Sequence, residues 1–409
     1  MISSNYLQQE KNLEVMTGID WPMPDCLQVN SKQTGYDVVY SNHGEWIGFQ
    51  KRWKEDLRLL KAAGFSTVRL GIPWSMVQPA MNVFNTELLD PLVNEAEKLG
   101  IVIHYVGSHY NQPRWLKNRY DLHQCFSEML PDALAKHSEW LVQTYGFKFY
   151  VPFVEMGTEA RFRGGVGQHK AMWAPHEPGL QNRVRQCLIK AFKAGAKAAR
   201  AAGAKVFCSE ALDDLDVARE IAPYVDAVGF NWYLQHHYGV YGFPETFQAW
   251  SKLARDNSAE LWVTEAGSHE NIYPMGTQCF IEQQPYVAGR DINRMKVAAL
   301  LTDAFRWACE QGYPLTKVSW YPGIANMWRT NLTCQPGTMD YCNGDPDCTS
   351  WCDRAGLFDG IDERVPCEAL IETIQSWQNI RTQPVAMPQS QPQLWVPPSI
   401  IPQRHAVAA

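Results

Sequence analysis

Short runs of β-branched and aromatic residues alternate along the chain with longer stretches in which apolar residues recur three and four positions apart. The first kind predicts strands over residues 13–20, 67–72, 101–108, 147–155, 205–210, 225–231, 260–265 and 316–321. The second predicts helices in QKRWKEDLRLLKAAG, TELLDPLVNEAEKLG, RVRQCLIKAFKAGAKAARAAG and INRMKVAALLTDAFRWACEQG. Several of these close on Gly, which adopts the left-handed turn after a helix without a steric penalty. Strands that alternate with helices in one direction build a parallel sheet. Eight such units fit an α/β fold of the (β/α)8 TIM-barrel type, a single domain over residues 1–380. A doubly wound open sheet is the alternative, weakened because no Gly-rich phosphate loop follows any of these strands. From Thr382 the chain becomes Pro- and Gln-rich, and residues 381–409 are expected to be an extended or disordered tail.

Charge and composition narrow the function classes. Lys plus Arg total 37 against 43 Asp plus Glu, a net charge of −6, which argues against binding a nucleic-acid backbone. No apolar run is long enough to span a bilayer, so no membrane partner is expected. The first residues carry no basic-then-apolar pattern, and the expected compartment is the cytoplasm. The excess is aromatic, with 16 Trp, 17 Tyr and 16 Phe. Such rings fill large cores, and their broad faces also suit sugar rings.

In a barrel of this kind the chemistry sits at the C-terminal ends of the strands and in the loops that follow. Those positions hold Asp20, Trp74, His109, Glu155, Glu210, Asn231, Tyr233, Glu265 and Trp320. Two carboxylates facing each other across a barrel mouth can flank a glycosidic bond, one as acid and one as nucleophile. Composition and spacing alone leave Glu155, Glu159, Glu210 and Glu265 as competitors for the two roles.

Several local strings resemble glycoside hydrolase family 1, the β-glucosidase family of retaining enzymes. WKEDLRLLKAAGFSTVRLGIPWSMVQP is similar to that family's segment around its second strand, and SHYNQPRWL to its H-W-D-x-P-x-x-L after the third. DAVGFNWY resembles D-F-x-G-I-N-Y-Y, and LWVTEAG resembles I-Y-I-T-E-N-G. SWYPGIANMW followed by RAGLFD resembles W-S-L-L-D-N-F-E-W and R-F-G-L-x-x-V-D. The matches come in the family's order and reach from residue 53 to residue 359.

The resemblance implies a retaining β-glycosidase with a carbohydrate or glycoside substrate, a covalent glycosyl-enzyme intermediate and no cofactor or metal. Transglycosylation to a sugar or alcohol is a possible variant of the second step, and a glycan-binding barrel with lost catalysis is the alternative. It implies Glu265 as nucleophile, with Arg69 and Tyr233 holding its carboxylate ionised and aimed. Aligning YVPFVEM without a gap on the family's W-x-T-x-N-E-P puts Glu155 in the acid/base position; Glu159 takes it only with an insertion. Either way the family's Asn is missing, its place taken by Val154 or Thr158. His109, Asn231, Trp320 and Trp328 fall where the family contacts its sugar. Met327 replaces a Glu that binds distal hydroxyls of a glucoside, and Asp20 or Asp25 stands in for a first-strand Gln.

The cysteines pose a separate question. Most of the eleven are scattered in apolar patterns and are read as packing residues, but Cys334, Cys342, Cys348 and Cys352 crowd into one loop after the eighth strand. Their irregular spacing does not match a zinc knuckle, and two disulfides are the expectation in an oxidising compartment. An alternative barrel enzyme would use His104, His109, Glu155 and Glu210 on a metal.

Overall fold

Val, Ile, Phe, Tyr and Trp dominate the short apolar runs, and every run that predicts a strand forms one. The computed structural model describes residues 11–20, 26–29, 37–40, 48–113, 115–116, 126–166, 177–233, 243–267, 290–324, 356–359 and 363–382. The main sheet holds β1 (Glu14–Asp20), β2 (Thr67–Gly71), β3 (Val102–Val106), β4 (Phe149–Val151), β5 (Lys205–Val206), β6 (Glu210–Ala211), β7 (Ala227–Tyr233), β8 (Glu260–Gly267) and β9 (Leu315–Trp320). Every pairing is parallel, in the order β5-β4-β3-β2-β1-β9-β8-β7-β6. The two edge segments, β5 and β6, are successive pieces of one strand. Between them Phe207 donates to Tyr150 O, Cys208 donates to Ala227 O, and Phe207 bridges Ala227, so the sheet closes on itself as the fifth of eight barrel strands.

The structure shortens the fourth predicted strand most. The run 147–155 pairs only through Val151, because Pro152 has no N–H to give the ladder. Beyond it the Val154 N–H still donates to Ser108 O at 3.0 Å and the Glu155 N–H to Ser209 O at 2.8 Å, and the chain delivers Glu155 to the start of a helix.

The helices that cover the barrel are α1 (Phe49–Ala62), α2 (Leu89–Leu99), α3 (Met129–Tyr145), α4 (Met156–Gly164), α5 (Gln181–Ala201), α6 (Leu215–Ile221), α7 (Phe243–Asp256), α8 (Arg290–Glu310) and α9 (Glu368–Ser376). Gly100 ends α2 in the left-handed conformation, as its sequence predicts, and Gly146 ends α3 in the same way. None of the described helices is long and apolar enough to cross a membrane. At the foot of the barrel Lys11–Asn12 pairs antiparallel with Arg381–Thr382, so regular pairing runs two residues past 380. Residues 383–409, expected to be tail, lie outside the described residues.

Side chains fill the interior in layers, so that the barrel is a packed core with one working end. Low in the interior, His104 lies between the rings of Phe149 (4.3 Å), Trp262 (5.4 Å) and Phe207 (5.8 Å). Lys317, paired with Glu14, sits 4.6 Å from the Phe149 ring and 4.9 Å from that of Trp262. Complete burial, with Lys317 and Arg69 nearby, pushes the His104 imidazole well below its ordinary range, and it is neutral. This aromatic layer is the floor on which the polar layer above it rests.

Candidate active site

The polar layer is assembled from strand ends. β7 and β8 pair Phe230 with Val263 but Asn231 with Glu265, a register shift that passes over Thr264. Such a bulge lets two successive residues reach the same side of a sheet. Both do: Thr264 Oγ1 donates to Asn231 Oδ1 at 2.8 Å, while Glu265 takes an ion pair from Arg69 of β2 and a hydrogen bond from the Tyr233 hydroxyl at 2.5 Å. Arg69 is fully buried and Glu265 is 2% exposed, so the pair is desolvated. Burial and the adjacent Glu265 charge push the Tyr233 phenol well above its ordinary range, which keeps it a hydrogen-bond donor.

Across from Glu265 stands Glu155. It is the residue before α4 and has positive φ (51°), as does Tyr110 (φ 68°) on the segment after β3. Non-glycine residues in this conformation carry strain of about 1–3 kcal/mol and cluster at working sites. The two contact each other: the Tyr110 hydroxyl donates to Glu155 Oε2, and Asn231 Nδ2 donates to Oε1 at 2.8 Å. The Glu155 backbone N–H is pinned to Ser209 O at 2.8 Å.

One hydrogen-bonded net connects the two acids. Asn231 gives its amide to Glu155 and accepts at Oδ1 from Ser209 Oγ (2.9 Å) as well as Thr264. Arg69 Nη1 donates to Ser209 Oγ at 3.1 Å, and its Nη2 binds Glu265. Both carboxylates act electrostatically on Tyr110 and on Tyr233, whose phenols they help to raise.

Comparison with known proteins gives this constellation its setting. The family model described as β-galactosidase, of glycoside hydrolase family 42, matches residues 43–145. A β-galactosidase of Bifidobacterium bifidum is 29% identical over 97 residues, 24% of this chain and 13% of that protein. β-Glucosidase 1 of rice, Oryza sativa subsp. japonica, is 28% identical over 130 residues, 30% of this chain and 24% of that protein. The alignments thus cover well under two thirds of these relatives. The solved structure of Thermotoga maritima β-glucosidase in complex with castanospermine superposes with a TM-score of 0.63, at 14% identity, over 90% of this chain and 98% of that one. Over these segments the chain is similar to β-galactosidases and β-glucosidases. The structural likeness shows the fold, the (β/α)8 barrel expected from the pattern of strands and helices.

Within this barrel the sequence-derived site residues fall into separate groups. Glu155, Glu265, Arg69, Tyr233 and Asn231 come together. His109 is buried beside them, its ring 4.4 Å from that of Tyr110. Trp320 points elsewhere: it is fully buried on the helical side, with its ring 6.4 Å from Trp377, which in turn donates to Thr302 of α8. The next residue, Tyr321, faces the site, with the Arg69 guanidinium 5.0 Å from its ring centre. Side chains alternate across a strand, so a shift of one residue changes the face. Trp328, Met327, Asp25 and the four clustered cysteines lie outside the described residues, and so does the side chain of Asp20. Cys208 and Cys309 are buried free thiols, as packing residues would be.

The other two acids are set away from the mouth. Glu159 is fully buried, accepting from Gln112 Nε2 and Arg163 Nε, both at 2.7 Å. Arg163 also donates to Tyr110 O at 3.1 Å, so this ion pair braces the segment that carries Tyr110. Glu210, also fully buried, accepts from the Gly157 N–H at 3.3 Å under the first turn of α4. Tyr110 and Tyr321 are the site residues that strand-end reading misses. The SHYNQP segment held the signal for the first, a tyrosine beside the candidate His109.

Proposed function

We propose that the protein is a retaining β-glycosidase that works by double displacement, with Glu265 as nucleophile and Glu155 as acid/base. The observation that carries this reading is the joining of Glu155 and Glu265, from opposite parts of the barrel, by one net through Asn231, Ser209 and Arg69. Arg69 and Tyr233 favour the ionised form of Glu265 and aim it, as attack on an anomeric carbon requires. The half-buried Glu155 is placed to protonate the leaving oxygen and then to take a proton from water, or from a sugar or alcohol acceptor. Asn231, His109 and Tyr321 border the space where the sugar would lie.

The stereochemistry of the product tests this reading. Proton NMR of an aryl β-glycoside during turnover is expected to show the β-anomer of the released sugar first, with the α-anomer appearing by mutarotation. Release of the α-anomer first overturns the double displacement. A panel of β-glucosides, β-galactosides and their 6-phosphates identifies the sugar.

Tyr110 gives the second test. Its hydroxyl is a donor to the carboxylate of Glu155, and a hydrogen bond to a charged group is worth about 1.5–3 kcal/mol. Tyr110→Phe is expected to lower kcat/KM about tenfold or more for alkyl glycosides, whose departure needs a proton, and much less for dinitrophenyl glycosides. Equal losses on both substrates contradict a role through Glu155.

A further inference from the structure

Glu155 is followed at once by α4, and the first turn of that helix rests on two carboxyl groups. Glu210, at the end of the fifth barrel strand, accepts at Oε2 from the Gly157 N–H (3.3 Å) and is also bonded by the Met156 N–H. Asp214, at the start of α6, lies against the same glycine, so close that a Cβ at position 157 would overlap its carboxyl. Its Oδ1 is ion-paired with Arg161 of α4. Two buried oxygens remain without a partner, Glu210 Oε1 and Asp214 Oδ2. A buried carboxylate oxygen lacking a donor is costly, and here two occur on neighbouring acids. The Asp214 charge acts on Glu210, and a single hydrogen on Glu210 Oε1 shared with Asp214 Oδ2 would remove both defects.

We propose that Glu210 and Asp214 hold one proton between them, Glu210 as the neutral acid, and that this acid pair is the anchor that fixes Glu155 in its left-handed conformation. The second half of the proposal rests on the reading of Glu155 as acid/base; the first does not. Glu210 is a positioning residue, reaching the reaction only through the N–H groups that follow Glu155.

The electrostatics agree with the geometry. Complete burial, reinforced by Asp214 and Glu155, pushes the Glu210 carboxyl well above the usual carboxylate range. Burial pushes Asp214 up to about 6, against the pull of Arg161 and with Asp213 and Glu155 adding to the rise. The titratable groups facing the pair are thus Glu155 and Arg161 from the α4 side, Asp213 from the turn before α6, and the Cys208 thiol, itself raised in part by Glu210. With Arg161 already paired with Asp214, ionising both acids would leave like charges together in a buried environment.

The sign of the pH dependence follows. A carboxyl raised in the folded state binds its proton there when the unfolded chain has released it. Stability is therefore full below the unfolded value, near pH 4.5, and falls as pH rises toward the folded value. Glutamine mimics the neutral acid and does not titrate. Glu210→Gln is expected to match the wild type in Tm near pH 4.5 and to exceed it by about 3 °C or more at pH 8. The difference infrared spectrum, wild type minus Glu210→Gln at pH 7, is expected to contain a carboxylic-acid C=O band. On alkyl glycosides Glu210→Ala is expected to lower kcat tenfold or more, and Glu210→Gln to recover most of that loss. A Tm gap that does not change with pH, or a difference spectrum showing only carboxylate, overturns the shared proton. A Gln variant no better than Ala overturns the anchoring role. The first two measurements need no turnover, so they stand or fall apart from the glycosidase reading.

Discussion

Glu265→Ala is expected to lower kcat/KM by at least about 10⁴-fold, the largest loss from any single substitution in this chain. The carboxylate is 2% exposed, paired with Arg69 and hydrogen-bonded by Tyr233 at 2.5 Å. Removing it takes away the atom that bonds to the anomeric carbon, and no neighbouring carboxylate can replace it. Glu159 is locked to Arg163 and Gln112, and Glu210 lies under α4. The product of chemical rescue gives the role its signature. Azide entering the vacated space displaces the leaving group once, so an α-glycosyl azide is expected from a β-glycoside. Rates recover with azide and the anomer is read by NMR. A β-azide, or activity within tenfold of wild type, assigns the nucleophile elsewhere.

Glu155→Ala is expected to produce the second largest loss, and one that depends on the leaving group. General acid–base assistance contributes about 10²–10⁴-fold. An alkyl glycoside should lose activity across that range, because its oxygen departs only with a proton. A dinitrophenyl glycoside needs no acid, so its first step survives, and the glycosyl-enzyme accumulates with a lowered KM. Azide then attacks that intermediate and gives the β-glycosyl azide, two displacements restoring the starting configuration. The matching variant Glu159→Ala is the control. It leaves Arg163 buried without its counter-ion, a change that costs about 3–5 kcal/mol of stability, and azide is not expected to rescue it. Rescue of Glu159→Ala and not of Glu155→Ala would reverse the acid/base assignment.

The periodicity of apolar residues located all eight barrel strands to within a few positions, because burial against helices on one side and a packed interior on the other leaves few alternatives for such runs. Strand position alone leaves Glu155, Glu159, Glu210 and Glu265 in competition; Arg69, Tyr233 and Glu265 are singled out together only by the resemblance to glycoside hydrolase family 1, and the structure brings the three side chains into contact. The departures from the sequence reading occur where the backbone leaves that regularity. Pro152 stops the fourth strand early, and positive φ at Glu155 and Tyr110 turns their side chains toward each other. No glycine marks either turn, so nothing in the sequence signals the conformation. Trp320 and Tyr321 differ by one position, and a string similarity cannot tell which of two adjacent aromatics faces inward; the packing of Trp320 on Trp377 decides it. The Glu210–Asp214 pair was invisible for another reason, since it depends on Gly157 admitting a carboxyl from a separate segment.

The roles assigned to the two acids meet in one measurement. The protein is incubated with activated 2-deoxy-2-fluoro β-glycosides of several sugars, digested, and its peptides are analysed by mass spectrometry. The substituent slows the second displacement, so a retaining enzyme stalls as the covalent intermediate. The account predicts one fluoroglycosyl group per chain, carried on Glu265 within LWVTEAG, and its release on adding an acceptor. An adduct on Glu155, Glu159 or Glu210 would contradict the assignment, and no adduct with any donor would point instead to a barrel that binds glycans without cleaving them.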